Sequence, residues 1–208
     1  YAAGGRAGND ADGPPESSPE MSGLSIKSAA TSEKFPYRVN CKLRMKFPGS
    51  SGNWGGSGVL IDPYHVMTAG HCVYERDLGG YAESIKVIPA YDDDRSDREP
   101  FGSASWNGCK LIWTGWVSNR QFKHDIAIIR LDRPIGALTS WFGYGYNKSC
   151  SFYKDTNFYS GSYPIEGHTG NDMYWRSGKF NYCPNSREMR FWRRAYGGES
   201  GSGYYYKK

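Results

Sequence analysis

A serine, a histidine and an aspartate lie in three short segments whose residue types suit nucleophilic catalysis. Ser200 lies among glycines, His71 ends the string Thr-Ala-Gly-His, and Asp125 precedes an apolar run at 126–131. A serine hydroxyl becomes an effective nucleophile when a neutral imidazole accepts its proton, and a carboxylate can orient and stabilise the imidazolium that forms. We therefore expect Ser200 to be the nucleophile, His71 the general base and Asp125 its orienting partner.

The glycines around Ser200 predict a site for developing negative charge. The segment 198–203 reads Gly-Glu-Ser-Gly-Ser-Gly, and a tight turn of this kind exposes the hydroxyl while nearby backbone N–H groups point at one spot. We expect the N–H groups of Gly198 and Ser200 to form an oxyanion hole. Alone, a Gly/Ser string is typical of a linker, and His71 alone is typical of a packed histidine at a strand end. The three segments together favour catalysis.

Composition and charge limit the other classes of function. The chain has 208 residues and 38% hydrophobic content, which is enough for one large all-β domain or two small lobes. Its apolar runs are far too short for a membrane span, and its first residues lack the apolar core of a signal peptide. The net charge of +5 is spread over the whole chain. We therefore expect a solvated surface, with no membrane and no nucleic acid as a partner.

The pattern of apolar residues predicts an all-β fold. Apolar and polar residues alternate strictly from 38 to 47, which predicts a half-buried antiparallel strand with Val39, Cys41, Leu43, Met45 and Phe47 on one face. The segments 58–61 and 65–68 predict a hairpin. No stretch of twelve residues has apolar residues at the helical period, so we expect no long helix. The many short candidate strands indicate a barrel or sandwich.

Shifts in composition predict the domain organisation. The expected parts are a flexible arm or propeptide at 1–34, a first lobe with His71 and Asp125 at 35–133, a linker at 134–147 and a second lobe with Ser200 at 148–208.

Five widely spaced cysteines, with no Cys-x-x-Cys pair, favour an oxidising extracellular setting. Two disulfides would leave one thiol over, and the residues alone leave the pairing open.

The three catalytic segments, in the order histidine, aspartate, serine, resemble the trypsin/chymotrypsin-like serine peptidases. The Gly70 of Thr-Ala-Gly-His-Cys, the Ser-Gly-Ser string at 200–202 and the segments 162–164, 173–175 and 177–179 are similar to the glutamyl-endopeptidase-like branch. The resemblance runs from about residue 35 to the C-terminus. It implies two antiparallel β-barrel lobes with a cleft between them, and a secreted endopeptidase that hydrolyses protein or peptide substrates through an acyl-enzyme. It implies no cofactor and no metal.

The resemblance also suggests how the substrate is selected. The residue six before the nucleophile lies at the base of the family's primary specificity pocket, and here it is Arg194. A guanidinium there would favour an acidic side chain before the scissile bond. The alternative is that Arg194 belongs to a solvated rim with Arg187, Arg190 and Arg193. The acidic residues at 92–94 with Asp97 favour a solvated surface over a calcium site, because their spacing does not match a calcium loop.

Several features depart from the family pattern. Gly56 stands where the family often has the cysteine that pairs with the one after the catalytic histidine. We therefore expect Cys41 to bridge Cys72 and Cys150 to bridge Cys183, with Cys109 free or joined to a further segment. In trypsins, an aspartate at the position of Glu199 pairs with the amino terminus freed by zymogen activation. Whether Glu199 does so here is open at this point.

Family members continue beyond the point that corresponds to Lys208, with strands that complete the second barrel. The resemblance therefore implies an incomplete second lobe and a C-terminal companion segment or chain from the same precursor. A catalytically inactive binding or structural protein with the trypsin fold is the alternative, and the intact His71, Asp125 and Ser200 argue against it.

Overall fold

The computed structural model describes residues 24–93, 96–185, 188–191 and 195–207. Most regular structure in these ranges is β. In chain order the strands are β1 (Ser25–Ile26), β2 (Asn40–Lys46), β3 (Asn53–Leu60), β4 (His65–Thr68), β5 (Tyr74–Glu75), β6 (Gly80–Tyr81), β7 (Ser84–Pro89), β8 (Ala104–Ile112), β9 (Ala127–Leu131), β10 (Phe158–Ser162), β11 (Tyr174–Gly178), β12 (Tyr182–Asn185), β13 (Glu188–Arg190) and β14 (Tyr204–Tyr205).

The helices in the described ranges are short, as the missing helical period predicts. The α-helices are α1 (Ala29–Ser32), α2 (Thr114–Asn119), α3 (Gly136–Thr139) and α4 (Cys150–Asp155). Single 3₁₀ turns occur at Tyr37–Val39, Gly70–Cys72, Arg76–Leu78 and Phe122–His124. No helix among these is both long and apolar enough to cross a membrane.

The first lobe is a closed antiparallel barrel with the strand order β2-β3-β4-β9-β8-β7. The alternation in β2 fills its interior, and the apolar face predicted from the sequence is confirmed as buried. These residues are Val39, Cys41, Leu43, Met45 and Phe47. The predicted hairpin is also confirmed, because β3 pairs antiparallel with β4 through Val59 and Met67.

The second lobe contains a four-stranded sheet, with the order β1-β11-β10-β14, and a hairpin of β12 and β13. Aromatic rings fill much of its interior, with Phe180 lying 5.2 Å from Phe158 and 5.3 Å from Tyr204 between ring centroids. The predicted all-β class is therefore confirmed, with a closed barrel and further sheets.

Part of the segment 1–34, for which the sequence predicts a flexible arm or propeptide, carries regular structure. Ser25 and Ile26 form β1 and pair with Trp175 and Tyr174 of β11, so this part of the chain adds an edge strand to the second lobe. Ser32, in α1, is fully buried. A strand of two residues carries no alternation that the sequence could reveal. Residues 1–23 lie outside the described residues.

The face of β2 that was expected to be polar and solvated is partly wrong, because it meets the second lobe. Asn40 is fully buried and Lys42 is 7% exposed. Lys42 Nζ donates to Asn171 Oδ1 at 3.0 Å and lies 4.0 Å from the centroid of the Tyr91 ring. An apolar cluster of Ile88, Tyr91, Tyr163 and Met173 packs beside this contact. The first half of β2 is thus buried on both faces, whereas the outer face is exposed at Arg44 and Lys46.

Lys42 is expected to cost stability at neutral pH. Burial, followed by the charge of Arg44, lowers its pKa from 10.5 to about 8, against the opposing charges of Asp93 and Asp172. A depressed lysine pKa means that the unfolded chain binds the proton more tightly, so stability rises with pH between about 8 and 10.5. We expect Lys42→Met to raise the free energy of unfolding by about 1–2 kcal/mol at pH 7, because the lost hydrogen bond offsets part of the relieved charge burial.

Urea unfolding at pH 7 and pH 10 measures this effect. The gain should shrink at the higher pH, where Lys42 is neutral in the folded protein. Lys46→Met, at an exposed position of the same strand, is the matched control and should change stability by less than about 0.5 kcal/mol. A loss of stability in Lys42→Met at pH 7 would contradict the account.

Candidate active site

The barrel places His71 beside Asp125 because the strands that precede and follow them are neighbours. His71 lies in the 3₁₀ turn after β4, and Asp125 lies just before β9. β4 and β9 pair antiparallel, with Thr68 opposite Ala127. Both side chains therefore emerge at one end of the barrel. The fold thus brings together two residues that are 54 positions apart in the chain.

Asp125 holds His71 through two hydrogen bonds. Its Oδ1 accepts from the backbone N–H of His71 at 2.8 Å, and its Oδ2 lies 2.8 Å from Nδ1 of the ring. The hydrogen bond to Oδ2 places the ring proton on Nδ1, which leaves Nε2 able to accept a proton. The neighbouring His124 takes no part in this pair, because its ring stacks on Trp113 at 4.9 Å between centroids.

The surroundings of His71 favour its charged form. Burial of the ring opposes protonation, but the Cys72 sulfur and the Asp125 carboxylate outweigh it and hold the pKa of His71 well above the ordinary 6.5. The carboxylate contribution is the expected one for an opposite charge within hydrogen-bonding distance.

This raised pKa predicts the pH dependence of activity. A general base must be neutral, so kcat/KM should be low in acid and rise as the pH passes the pKa of His71 in the free enzyme. We expect the midpoint of this rise to lie above pH 6.5, measured with a fluorogenic peptide that does not titrate in that range. A midpoint at or below 6.5 would contradict the assignment.

Ser200 lines the same cavity as His71. The cavity has a volume of about 80 Å³. The loop that carries Ser200, which we call the nucleophile loop, and the first lobe form its walls. The loop contributes Gly197, Gly198 and Ser200, and the barrel contributes Met45, Phe47, Trp54, Gly55, His71, Cys72, Glu75 and Leu78. Within the described residues, no hydrogen bond under 3.5 Å joins Ser200 Oγ to the His71 ring. Such catalytic contacts often tighten only when substrate binds.

Two peptide groups beside Ser200 are oriented by hydrogen bonds to their carbonyl oxygens. The carbonyl of Gly197 accepts from Ile165 N at 2.6 Å, and the carbonyl of Glu199 accepts from Ser202 N at 3.0 Å. In a trans peptide the N–H points opposite to the C=O, so these bonds fix the directions of the N–H groups of Gly198 and Ser200. Neither N–H has an acceptor in the described ranges of the chain. Both are available as donors, as the oxyanion-hole prediction requires.

Gly198 has to be a glycine in this loop. Its φ is +94°, and a Cβ at this position would lie 2.4 Å from the carbonyl oxygen of Tyr163. Only a residue without a side chain accepts both the left-handed backbone and this close approach.

Glu199 already has a partner inside the second lobe. Arg176 Nη2 lies 2.8 Å from Glu199 Oε1, and both side chains are at least 95% buried. The backbone N–H of Tyr196 donates to Oε2 at 2.8 Å. In this structure the carboxylate is therefore paired with an arginine of β11.

Ser57 belongs to the site, and the sequence analysis missed it. Its Oγ donates to the carbonyl of Gly198 at 2.8 Å, and its backbone N–H donates to the carbonyl of Ser200 at 2.8 Å. The surrounding Gly/Ser-rich sequence reads as a turn, whereas β3 begins at Asn53. Only the alternation within 53–60, once its strand is known, could have placed Ser57 against the nucleophile loop.

One of the two predicted disulfides is present and the other is absent. The disulfide between Cys150 and Cys183 is confirmed. The predicted bridge between Cys41 and Cys72 is wrong, and both cysteines are buried free thiols. In the β2–β3 register, Cys41 is opposite Gly58, whereas the Cys72 sulfur lies against Gly56, two residues away.

The remaining predicted site residues have different outcomes. Cys109 is an exposed free thiol. Arg194, with Arg187 and Arg193, lies outside the described residues. Asp93 accepts from Asn171 Nδ2 at 3.1 Å and lies 3.0 Å from Arg98 Nη1, so internal partners occupy its carboxylate.

Comparison with known proteins gives a consistent family. The trypsin family model matches residues 26–172. A glutamyl endopeptidase of Bacillus licheniformis is 30% identical over 194 residues, which cover 89% of this chain and 57% of that protein. An extracellular metalloprotease of Bacillus subtilis is 32% identical over 122 residues, which cover 59% of this chain and 37% of that protein. This chain thus spans less than two thirds of the length of either Bacillus relative.

The fold agrees with this match. The solved structure of a Glu endopeptidase in complex with MPD superimposes with a TM-score of 0.68 at 22% identity, over 89% of this chain and 80% of that chain. The matched family segment contains the barrel, His71 and Asp125. On the strength of the family match, with the barrel and its paired histidine and aspartate, this chain belongs to the trypsin family.

Proposed function

We propose that this chain is the catalytic part of a secreted serine endopeptidase, in which Ser200 is the nucleophile, His71 the general base and Asp125 its orienting partner. The observation that carries the proposal is the pair of 2.8 Å hydrogen bonds that His71 donates to Asp125, beside a cavity that His71 shares with Ser200. A histidine held in this tautomer next to a serine is the arrangement that activates a hydroxyl.

The proposed reaction is peptide-bond hydrolysis through an acyl-enzyme. Ser200 Oγ attacks the carbonyl carbon while its proton passes to Nε2 of His71. The N–H groups of Gly198 and Ser200 stabilise the resulting oxyanion. The C–N bond then breaks, and His71 returns the proton to the leaving amine. Water repeats the sequence on the ester and releases the acid and free Ser200.

We propose a preference for acidic residues before the scissile bond. The similarity to a protein named glutamyl endopeptidase supports this preference, and the sequence offers Arg194 as the partner of the substrate carboxylate. Secretion is supported by the similarity to a protein named as an extracellular protease and by the disulfide between Cys150 and Cys183. The companion segment at the C-terminus, the linker at 134–147 and the absence of nucleic-acid and membrane partners stay predictions.

Digestion of a defined peptide mixture, followed by mass spectrometry of the new termini, tests the function. The wild type should cut peptides mainly after glutamate or aspartate, and Ser200→Ala should leave the same mixture intact. Arg194→Gln should reduce the preference for glutamate over glutamine at that position. A folded wild type that cuts nothing would favour an inactive binding or structural protein instead.

A further inference from the structure

Ser57 lies where three segments of the proposed catalytic site meet. It is fully buried in β3. Its Oγ donates to the carbonyl of Gly198 at 2.8 Å and accepts from the backbone N–H of Tyr163 at 2.9 Å. A hydroxyl can donate one hydrogen bond and accept others at the same time. This single group therefore joins the first barrel, the end of β10 and the loop before Ser200.

The peptide group between Gly198 and Glu199 is held at both ends. Ser57 binds its oxygen, and its N–H donates to the carbonyl of Tyr196 at 3.2 Å. This peptide group lies between the two that carry the N–H groups of Gly198 and Ser200. Because Gly198 has no side chain to restrict rotation, the hydrogen bond from Ser57 is what fixes the orientation of this peptide group on the side of the first lobe.

The hydroxyl can be removed without breaking the other link between β3 and the loop. The backbone N–H of Ser57 donates to the carbonyl of Ser200 at 2.8 Å, and this bond does not depend on the side chain. A variant without the hydroxyl therefore isolates its effect on Gly198.

We propose that Ser57 is a positioning residue for the oxyanion hole. Its hydroxyl fixes the peptide group after Gly198, which lies between the two that carry the catalytic N–H groups, and so adds a first-lobe contact to the hydrogen bonds that orient those two groups. The inference rests on the proposed function, and it adds a dependence of the oxyanion hole on contact between the lobes. Ser57 acts through Gly198 and does not touch the reacting atoms.

Ser57→Ala tests this role, because a positioning residue for the oxyanion hole should affect kcat much more than KM. Losing an oxyanion-hole donor outright typically lowers kcat by about 10²- to 10³-fold, so a mispositioned donor should lower kcat by about 10- to 100-fold, with KM nearly unchanged. A peptide boronic acid forms a tetrahedral adduct whose oxygen occupies the hole. Its affinity should fall by the same factor as kcat/KM, whereas the affinity for an uncleaved competing peptide should not change.

Two further variants separate positioning from a general loss of stability. Thr139→Val removes another fully buried hydroxyl, whose hydrogen bond to the Ser140 carbonyl lies at the end of α3, away from the cavity. This variant should leave kcat unchanged. Ser57→Cys keeps a weak donor and should fall between wild type and Ser57→Ala. If Ser57→Ala does not fold, the comparison of Ser57→Cys with the wild type decides by the same criteria.

Wild-type values of kcat and boronate affinity in Ser57→Ala would overturn the inference while the proposed function stands. An equal loss of kcat in Thr139→Val would overturn it as well, because stability alone would then explain the effect. A wild type that neither cleaves peptides nor binds the boronic acid would overturn the proposed function, and this inference with it.

Discussion

Replacing Asp125 by asparagine should lower kcat about 10⁴-fold while the fold stays intact. The backbone N–H of His71 donates to Oδ1, so the amide oxygen of the asparagine would occupy that place and its NH₂ would face Nδ1. Because an NH₂ group only donates, Nδ1 would have to accept, and the ring proton would move to Nε2. An Nε2 that already carries a proton cannot take one from Ser200, so the hydroxyl would no longer be activated.

The chain contains a matched control for this substitution. Asp62 binds His65 in the same manner, with Oδ1 accepting from the backbone N–H at 2.8 Å and Oδ2 lying 2.7 Å from Nδ1. Asp62 lies in the turn between β3 and β4, His65 begins β4, and neither residue lines the cavity. Asp62→Asn should therefore leave kcat within about 2-fold of wild type. Equal kinetic effects of the two substitutions, measured by steady-state peptide cleavage, would contradict the role of Asp125.

Replacing Gly56 by cysteine should create a disulfide with Cys72 and stabilise the protein by about 3 kcal/mol. A Cβ at Gly56 would lie 3.0 Å from the Cys72 sulfur. That separation is about what a disulfide requires between a Cβ and the far sulfur, given an S–S bond of about 2.05 Å. The bridge would close the hairpin of β3 and β4 onto the turn that carries His71. The stabilisation would come mainly from a restricted unfolded chain.

Urea unfolding of the variant kept reduced, compared with the same variant after air oxidation, measures the gain in the free energy of unfolding. Thiol titration of the denatured protein shows whether the bridge has formed. The wild type has three free cysteines, so a closed bridge in Gly56→Cys should lower the titrated number to two. Gly56→Ser has nearly the same size and cannot form a bridge, so it should show no such gain. Four titratable thiols in Gly56→Cys, or stability equal to that of Gly56→Ser, would show that the geometry is wrong.

The sequence predicts those strands in which apolar and polar residues alternate regularly. The alternation from Val39 to Phe47 identifies a strand and its buried face because each second residue meets one barrel core. The same rule fails at Asn40 and Lys42, since the outer face of β2 meets the second lobe. A periodic pattern reports one buried face, and it carries no information about a second surface that another part of the chain covers.

The candidate site divides in a similar way. His71, Asp125 and Ser200 could be predicted because each lies in a short string of special composition, and the structure pairs the first two directly. Ser57 and Arg176 could not be predicted, because their roles come from contacts with distant parts of the chain. The Cys41–Cys72 prediction failed because strand register decides which residues face each other. The register became known only with the pairing of Cys41 with Gly58.

Labelling with a fluorophosphonate, followed by peptide mapping, tests whether His71 activates the Ser200 hydroxyl. The reagent reacts only with a serine whose hydroxyl is activated by a neighbouring base. We expect one adduct on Ser200 in the wild type, with labelling slowed at least about 10³-fold in His71→Ala. The assignment of Ser200 and His71 would be wrong if a folded wild type gave no adduct, if the adduct lay on another residue, or if His71→Ala were labelled as fast as the wild type.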